Sequence, residues 1–260
     1  MSITYSSYLR LDELLALQTP VSEAREHDEM LFIIVHQVYE LWFKEILHEL
    51  DRLQFLFDRD DATRVRHTLK RVLTILKVLV AQLDILETMT PLEFLTFRDR
   101  LQSGSGFQSQ QFRGIEFALG QKRAAAVQHY PLGSPARAWL EQRFARPTIW
   151  DSFLHYLARR GYAVPPDQLQ RDVTAPVTPS PAVQRVLLDI YRGDPDVREI
   201  CERLVDLDEG LQEWRYRHVK MVERTIGAKR GTGGTAGAAY LHGTLSRPIF
   251  PDLWEIRTEL

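Results

Sequence analysis

Residues Trp214–Gly237 read WRYRHVKMVERTIGAKRGTGGTAG, a helical pattern that gives way to a loop of glycines and threonines. Leu211, Trp214, His218, Met221, Val222 and Ile226 recur at steps of three and four, which sets them on one apolar helical face with a histidine among them. The spacing turns an imidazole inward. Gly227 can end the helix in the left-handed conformation, and Gly231, Gly233 and Gly234 let bare backbone approach whatever occupies the space beyond.

The same period governs the chain on either side. A helix expected from His27 to about Phe57 carries apolar residues on more than one stripe, among them Leu31, Val35, Tyr39, Trp42, Ile46 and Leu50, so it is largely buried. Val65, Leu69, Val72, Leu76, Leu79, Leu83 and Leu86 space a second long helix, with Arg64, Arg66, Arg71 and Lys77 expected on its solvated side. Thr90-Pro91-Leu92-Glu93 is a capping box with proline at the first helical position, and it opens a helix bearing Phe94, Phe97 and Arg98. SGSGFQSQQ (Ser103–Gln111) interrupts that helix before the spacing resumes at Phe112 and Ile115. The last long helix is expected from about Pro195 to Ile226. No internal repeat and no series of strands is visible, so the fold class is all-α.

Between His129 and Arg192 the pattern is shorter. Ser134-Pro135 and Ser180-Pro181 mark helix starts, and Gly161 and Gly193 mark stops. This stretch is read as a helical excursion from one large domain spanning residues 1–260, with its proline-rich run Val173–Pro181 as a surface connector. At the amino end, Tyr5, Tyr8 and Leu9 precede a short helical pattern through Leu11, Leu14, Leu15 and Leu17 that Pro20 ends.

Thirty-three basic and thirty-five acidic residues among 260 leave a formal charge of -2, which removes the broad electrostatic case for nucleic acid or an anionic membrane as partner. One cysteine, Cys201, rules out an internal disulfide framework and a cysteine-rich zinc site, and between Ile200 and Leu204 it reads as a small buried apolar residue. The amino terminus lacks the basic start and continuous apolar core of a signal peptide, and the apolar runs are far shorter than the ~20 residues of a spanning helix. A cytoplasmic protein is expected.

Phe32 and His36 stand four apart, placing a ring and an imidazole on one face of the first long helix. A single inward histidine is ordinarily a satisfied core residue; two on separate buried helices suit a cofactor held between facing helices. Glu45-Ile46-Leu47-His48 matches half of a di-iron motif, but the second Glu-x-x-His is missing, and no His-Glu-x-x-His zinc motif occurs. A porphyrin iron with one axial histidine is then the leading metal reading. Gly231, Gly233 and Ala236 satisfy G-x-G-x-x-A, yet they follow a helix rather than a strand, so a dinucleotide fingerprint is rejected. Thr232 and Thr235 still offer hydroxyls, and Arg98 offers a fork that can hold a carboxylate.

Five segments in order, YSSYLRLDELLALQ, HDEMLFIIVHQVYELWFKEILHELD, TPLEFLTFRDRLQSGSGFQSQQFRGIEF, HVKMVERTIGAKRGTGGTAG and LWEIRTEL, resemble the tryptophan 2,3-dioxygenase family. They cover well over half the chain, and only about 122–205, the excursion, is weakly distinctive. The resemblance implies an all-helical, bundle-like haem domain assembled as a homotetramer. It implies haem b with ferrous iron, and the cleavage of the indole C2-C3 bond of L-tryptophan by O2 to N-formyl-L-kynurenine, the first step of tryptophan catabolism by the kynurenine pathway. By it His218 is the proximal iron ligand and His36 the distal residue that meets the indole N-H. Phe32 and Phe94 line the substrate site, Arg98 binds the carboxylate, Thr232 helps hold the carboxylate and ammonium ends, and Ser105 and Gly106 lie near the haem. Tyr5, Tyr8 and Leu9 complete a neighbour's site in the tetramer. Some members carry a tyrosine where this chain has Phe94, which cannot donate that hydroxyl. A relative acting on a substituted indole, and a non-catalytic haem- or tryptophan-binding module, are the alternatives.

Overall fold

A computed structural model describes residues 2–22, 26–102, 104–231, 237–245 and 247–260. In chain order its helices are α1 (Tyr5–Leu9), α2 (Leu11–Leu14), α3 (His27–Asp58), α4 (Ala62–Leu86), α5 (Pro91–Arg98), α6 (Gln110–Ala118) and α7 (Ala124–Gln128). There follow α8 (Pro135–Phe144), α9 (Ile149–Arg159), α10 (Pro166–Leu169), α11 (Pro181–Gly193), α12 (Pro195–Ile226), α13 (Ala238–His242) and α14 (Pro251–Glu255). No strand occurs among the described residues, and the fold is all-α.

The long helices α3, α4 and α12 make the frame, with α4 packed against both of the others. The turn between α3 and α4 is short: Asp60 takes a positive φ of 56°, and Asp61 caps α4 by accepting from Arg64 N at 3.0 Å. Leu50, Leu53, Phe57, Val65 and Leu69 are buried at this seam, each contributing about 1.5 to 3 kcal/mol relative to exposure. Two side chains then fix the sliding register of the pair. The Tyr39 hydroxyl donates to Leu79 O at 2.6 Å, and Gln82 Nε2 donates to Val35 O at 2.9 Å. Both bonds bracket the turn of α3 that carries His36.

The capping box at α5 forms as expected, with Glu93 N donating to Thr90 Oγ1 and Thr90 N to the Glu93 carboxylate. Ser134 and Ser180 cap α8 and α11 ahead of their prolines. The polar side of α4 differs from expectation at Arg66. Arg64, Arg71 and Lys77 are exposed as expected, Arg71 also reaching the buried Glu49 of α3 at 2.5 Å, but Arg66 is half-buried where it pairs with Asp196 and Glu199 of α12. Period alone places a charge on a face, whereas the neighbouring helix decides whether that face meets water. Trp150, Phe153 and Tyr156 of α9, within the stretch read as an excursion, are buried in the same cluster as Phe57.

The carboxyl end returns to α12. Asp208, fully buried, accepts from Ile249 N (2.7 Å), Phe250 N (3.1 Å) and Trp254 Nε1 (2.9 Å) through one oxygen. Cys201 is buried on the same helix, where desolvation raises its thiol pKa and leaves it uncharged.

Candidate active site

α3, α5, α6 and α12 converge on a mostly apolar cavity of about 260 Å³. Trp214, His218, Met221, Val222 and Ile226 line it from α12, while Leu211 faces a small apolar void beside it. Phe32 and His36 line it from α3, Phe94 and Arg98 from α5, and Ser105 and Gly106 from the segment before α6. Phe32, His36, Phe94, Arg98, Ser105, Gly106 and His218, the seven of these given site roles from sequence, therefore share one space. Thr232 lies outside the described residues. Tyr5, Tyr8 and Leu9 form α1, are exposed, and are not brought to this cavity within their own chain.

His36 is oriented by its own helix. Its Nδ1 stands 2.7 Å from Phe32 O, so the proton is assigned to Nδ1 and Nε2 is left as an acceptor. The ring leans on Phe32 with centroids 4.1 Å apart, and Phe32 in turn meets Phe94 and Phe97 at 5.7 and 5.6 Å. Burial lowers the His36 pKa and outweighs its bond to Phe32 O and the charge of Glu40.

His218 keeps accessible ring surface because it faces the cavity, although protein otherwise encloses it. Burial pushes its pKa down to about 4, with His36 adding in the same sense. The imidazole is neutral near pH 7 and its lone pair is free for a metal. Among the described residues no group of three or more His, Cys, Asp or Glu is placed to hold an ion by itself. A site with one protein ligand suits a metal that arrives with its other donors, as a porphyrin iron does.

A cluster that helical periodicity missed lies along the same cavity. Glu116 of α6, 2 % exposed, is met by Arg113, by Arg123 at 2.8 Å and by Arg215 of α12 at 3.3 Å. Three guanidiniums surround one carboxylate, and Arg113 Nε is buried without a hydrogen-bond partner. Buried charge of one sign is costly unless an opposite charge joins it. The cluster suits the carboxylates of a flat apolar cofactor. A sequence signal existed in Arg113 and Glu116, three apart on a helix, but Arg215 is 99 positions away from Glu116.

Arg98 donates from Nη2 to Arg230 O at 2.6 Å, and its Nε is buried without a partner. It thus joins α5 to the start of the glycine loop while keeping a donor for something else. The loop is closed at its base by Gly237, whose φ is 61°; a Cβ there would stand 2.6 Å from Lys229 O, so only glycine fits. Gly227 occupies the end of α12 with φ 59° and ψ -133°, which is glycine territory but not the left-handed helical conformation expected. Its N-H still closes the helix on Glu223 O at 2.9 Å.

Helices bringing two imidazoles to one mostly apolar, arginine-edged cavity define the class as an all-α protein with an enclosed site between its helices. The family model of tryptophan 2,3-dioxygenase matches residues 1–132 and 129–260, and the chain belongs to that family. A tryptophan 2,3-dioxygenase of Herpetosiphon aurantiacus is 60 % identical over 259 residues, covering 100 % of this chain and 99 % of the relative. One from Anaeromyxobacter sp. (strain K) is 57 % identical, covering 100 % and 97 %, and one from Caulobacter vibrioides is 44 % identical, covering 99 % and 98 %.

Proposed function

We propose that this chain is a haem-dependent dioxygenase that converts L-tryptophan and O2 to N-formyl-L-kynurenine, with both oxygen atoms retained in the product and no external reductant consumed. The observation that carries the reading is the pair His36 and His218 on one cavity, in a chain of this family. His218 would hold the iron of haem b, and Arg113, Arg123 and Arg215 would hold its propionates. When bound, the haem supplies the ferrous iron that activates dioxygen.

The chain's own residues handle the substrate. Phe32 and Phe94 give the indole an apolar wall, and the Nε2 of His36 accepts from the indole N-H. That fixes the ring without removing the proton: an indole N-H is very weakly acidic, and burial makes this imidazole a weaker base still. Arg98 takes the carboxylate through its unpaired Nε side, and Thr232 assists. Phe94 is packed among Phe32 and Phe97 and offers no hydroxyl, so the carboxylate depends more heavily on Arg98. The apolar walls keep water from the reacting carbons.

The reading includes a single domain, a cytoplasmic location suited to the free Cys201, and a homotetramer. Support for assembly comes from the arm: α1 and α2 bury no residue, while Ile3, Tyr5, Tyr8 and Leu15 are each more than 70 % exposed. Such a patch calls for a partner surface, and a second copy whose cavity it completes is that partner. Among the described residues no helix is long and apolar enough to cross a membrane. The deciding experiment reduces the haem-loaded protein without oxygen, adds L-tryptophan and then air, and follows the haem bands and N-formylkynurenine absorbance together. Binding without product would reject the dioxygenase reading.

A further inference from the structure

Trp214 lies four residues before His218 on α12, and the two rings are within 7° of parallel with centroids 5.2 Å apart. This is offset-stacked geometry. The indole is itself clamped by three neighbours. Phe112 of α6 stands 5.0 Å away, Phe43 of α3 meets it edge-on at 6.2 Å and 88°, and Tyr39 lies at 6.3 Å. Trp214 is therefore a fixed surface against which another ring can be aligned.

His218 has no other such constraint from a described residue. His36 is oriented by its bond to Phe32 O, whereas no described residue hydrogen-bonds either ring nitrogen of His218. A ligating histidine is ordinarily oriented by a hydrogen bond from its second nitrogen to a carboxylate or carbonyl. The last torsion of a histidine side chain is broad, so something must select its value. The indole face does so here. Its Nε1 points toward the Tyr39 hydroxyl oxygen, whose own proton goes to Leu79 O.

We propose that Trp214 is the positioning residue for the proximal histidine: its stacked indole sets the rotation of the His218 ring about the Cβ-Cγ bond, and thereby the orientation of the imidazole plane at the haem. This rests on the reading of His218 as the iron ligand. One ring plane gives one iron–histidine geometry, and a released ring gives a spread of them.

The test compares haem-loaded wild type with Trp214→Leu and Trp214→Phe, reading haem content, melting temperature and the iron–histidine stretching band of the ferrous protein by resonance Raman. Wild type gives one narrow band. Trp214→Leu keeps its haem but broadens or splits that band, and Trp214→Phe, which retains an aromatic face, returns it toward one. Leu211→Ala, three residues further from His218 than Trp214 is, lowers the melting temperature and leaves the band as in wild type. A wild-type band in Trp214→Leu overturns the proposal, as does a Leu211→Ala band altered to the same degree. Should Trp214→Leu fail to load haem, Trp214→Met fills the space without a ring and is read by the same criteria. Failure of the underlying reading looks different: His218→Ala would then keep its haem and an unchanged band.

Discussion

Arg215 and Glu116 meet at 3.3 Å although 99 positions separate them, and through this contact α12 and α6 share the charge cluster at the cavity. Replacing Glu116 with alanine leaves three guanidiniums facing one another, two of them buried. Loss of one partner from a buried ion pair costs about 3 to 5 kcal/mol. The urea midpoint of Glu116→Ala should fall by a corresponding amount. A midpoint equal to that of wild type would show that water already screens the cluster.

His218→Ala should abolish stoichiometric haem binding, because it removes the one imidazole that α12 presents to the cavity as an axial ligand. The haem-to-protein ratio after reconstitution and gel filtration measures it. Retention of wild-type content and activity contradicts the assignment.

Arg98→Ala should raise the KM for L-tryptophan about 10- to 100-fold, as expected for losing a hydrogen bond to a charged group worth about 1.5 to 3 kcal/mol. Haem content should change little, since the guanidinium touches the loop base rather than His218. Steady-state kinetics beside haem quantitation separates the two effects, and an unaltered KM removes Arg98 from the substrate site.

The parts of the site that were legible in sequence are those whose signal is local. His36 with Phe32, and His218 on the face of Trp214, follow from helical spacing, and the α5 capping box follows from Thr90 and Glu93. The bounds of α12 needed only Pro195 and the glycine after Ile226. What spacing left open was occupancy, since an inward histidine reads equally well as packed core. Contacts between distant segments were invisible for the same reason. Arg66 is expected on a solvated side, and nothing local marks Arg215 or Asp208, because each finds its partner only after the helices pack.

Acid should weaken the haem-free protein. Burial lowers the pKa of His36, and that of His218 to about 4, whereas an unfolded histidine titrates near 6.5. Between those values the unfolded chain holds protons that the folded chain does not, so stability is whole above about pH 6.5 and is lost as pH falls toward 4. His218 alone accounts for at most about 3 kcal/mol. Urea unfolding at pH 7.5 and pH 5 measures the loss; equal midpoints would place both rings in contact with water.

Removal of residues 1–17 should leave the cavity helices folded, as α1 and α2 bury nothing against them, while lowering the assembly mass in solution and raising the KM for tryptophan. Light scattering and kinetics on the shortened chain test both consequences. A shortened chain with unchanged mass and KM would leave the arm without a role in either.

Asp208 makes the last segment of the chain a counterpart of the cofactor helix rather than an appendage. Its charge is stabilised by hydrogen bonds to one oxygen from two main-chain amides and an indole N-H, in place only if residues 249–254 are folded there. Trimming the protein back to its glycine loop would strand an anion inside α12, two to three turns before His218. Ends cut or fused there should therefore be felt as loosened haem, at a distance from anything that touches it.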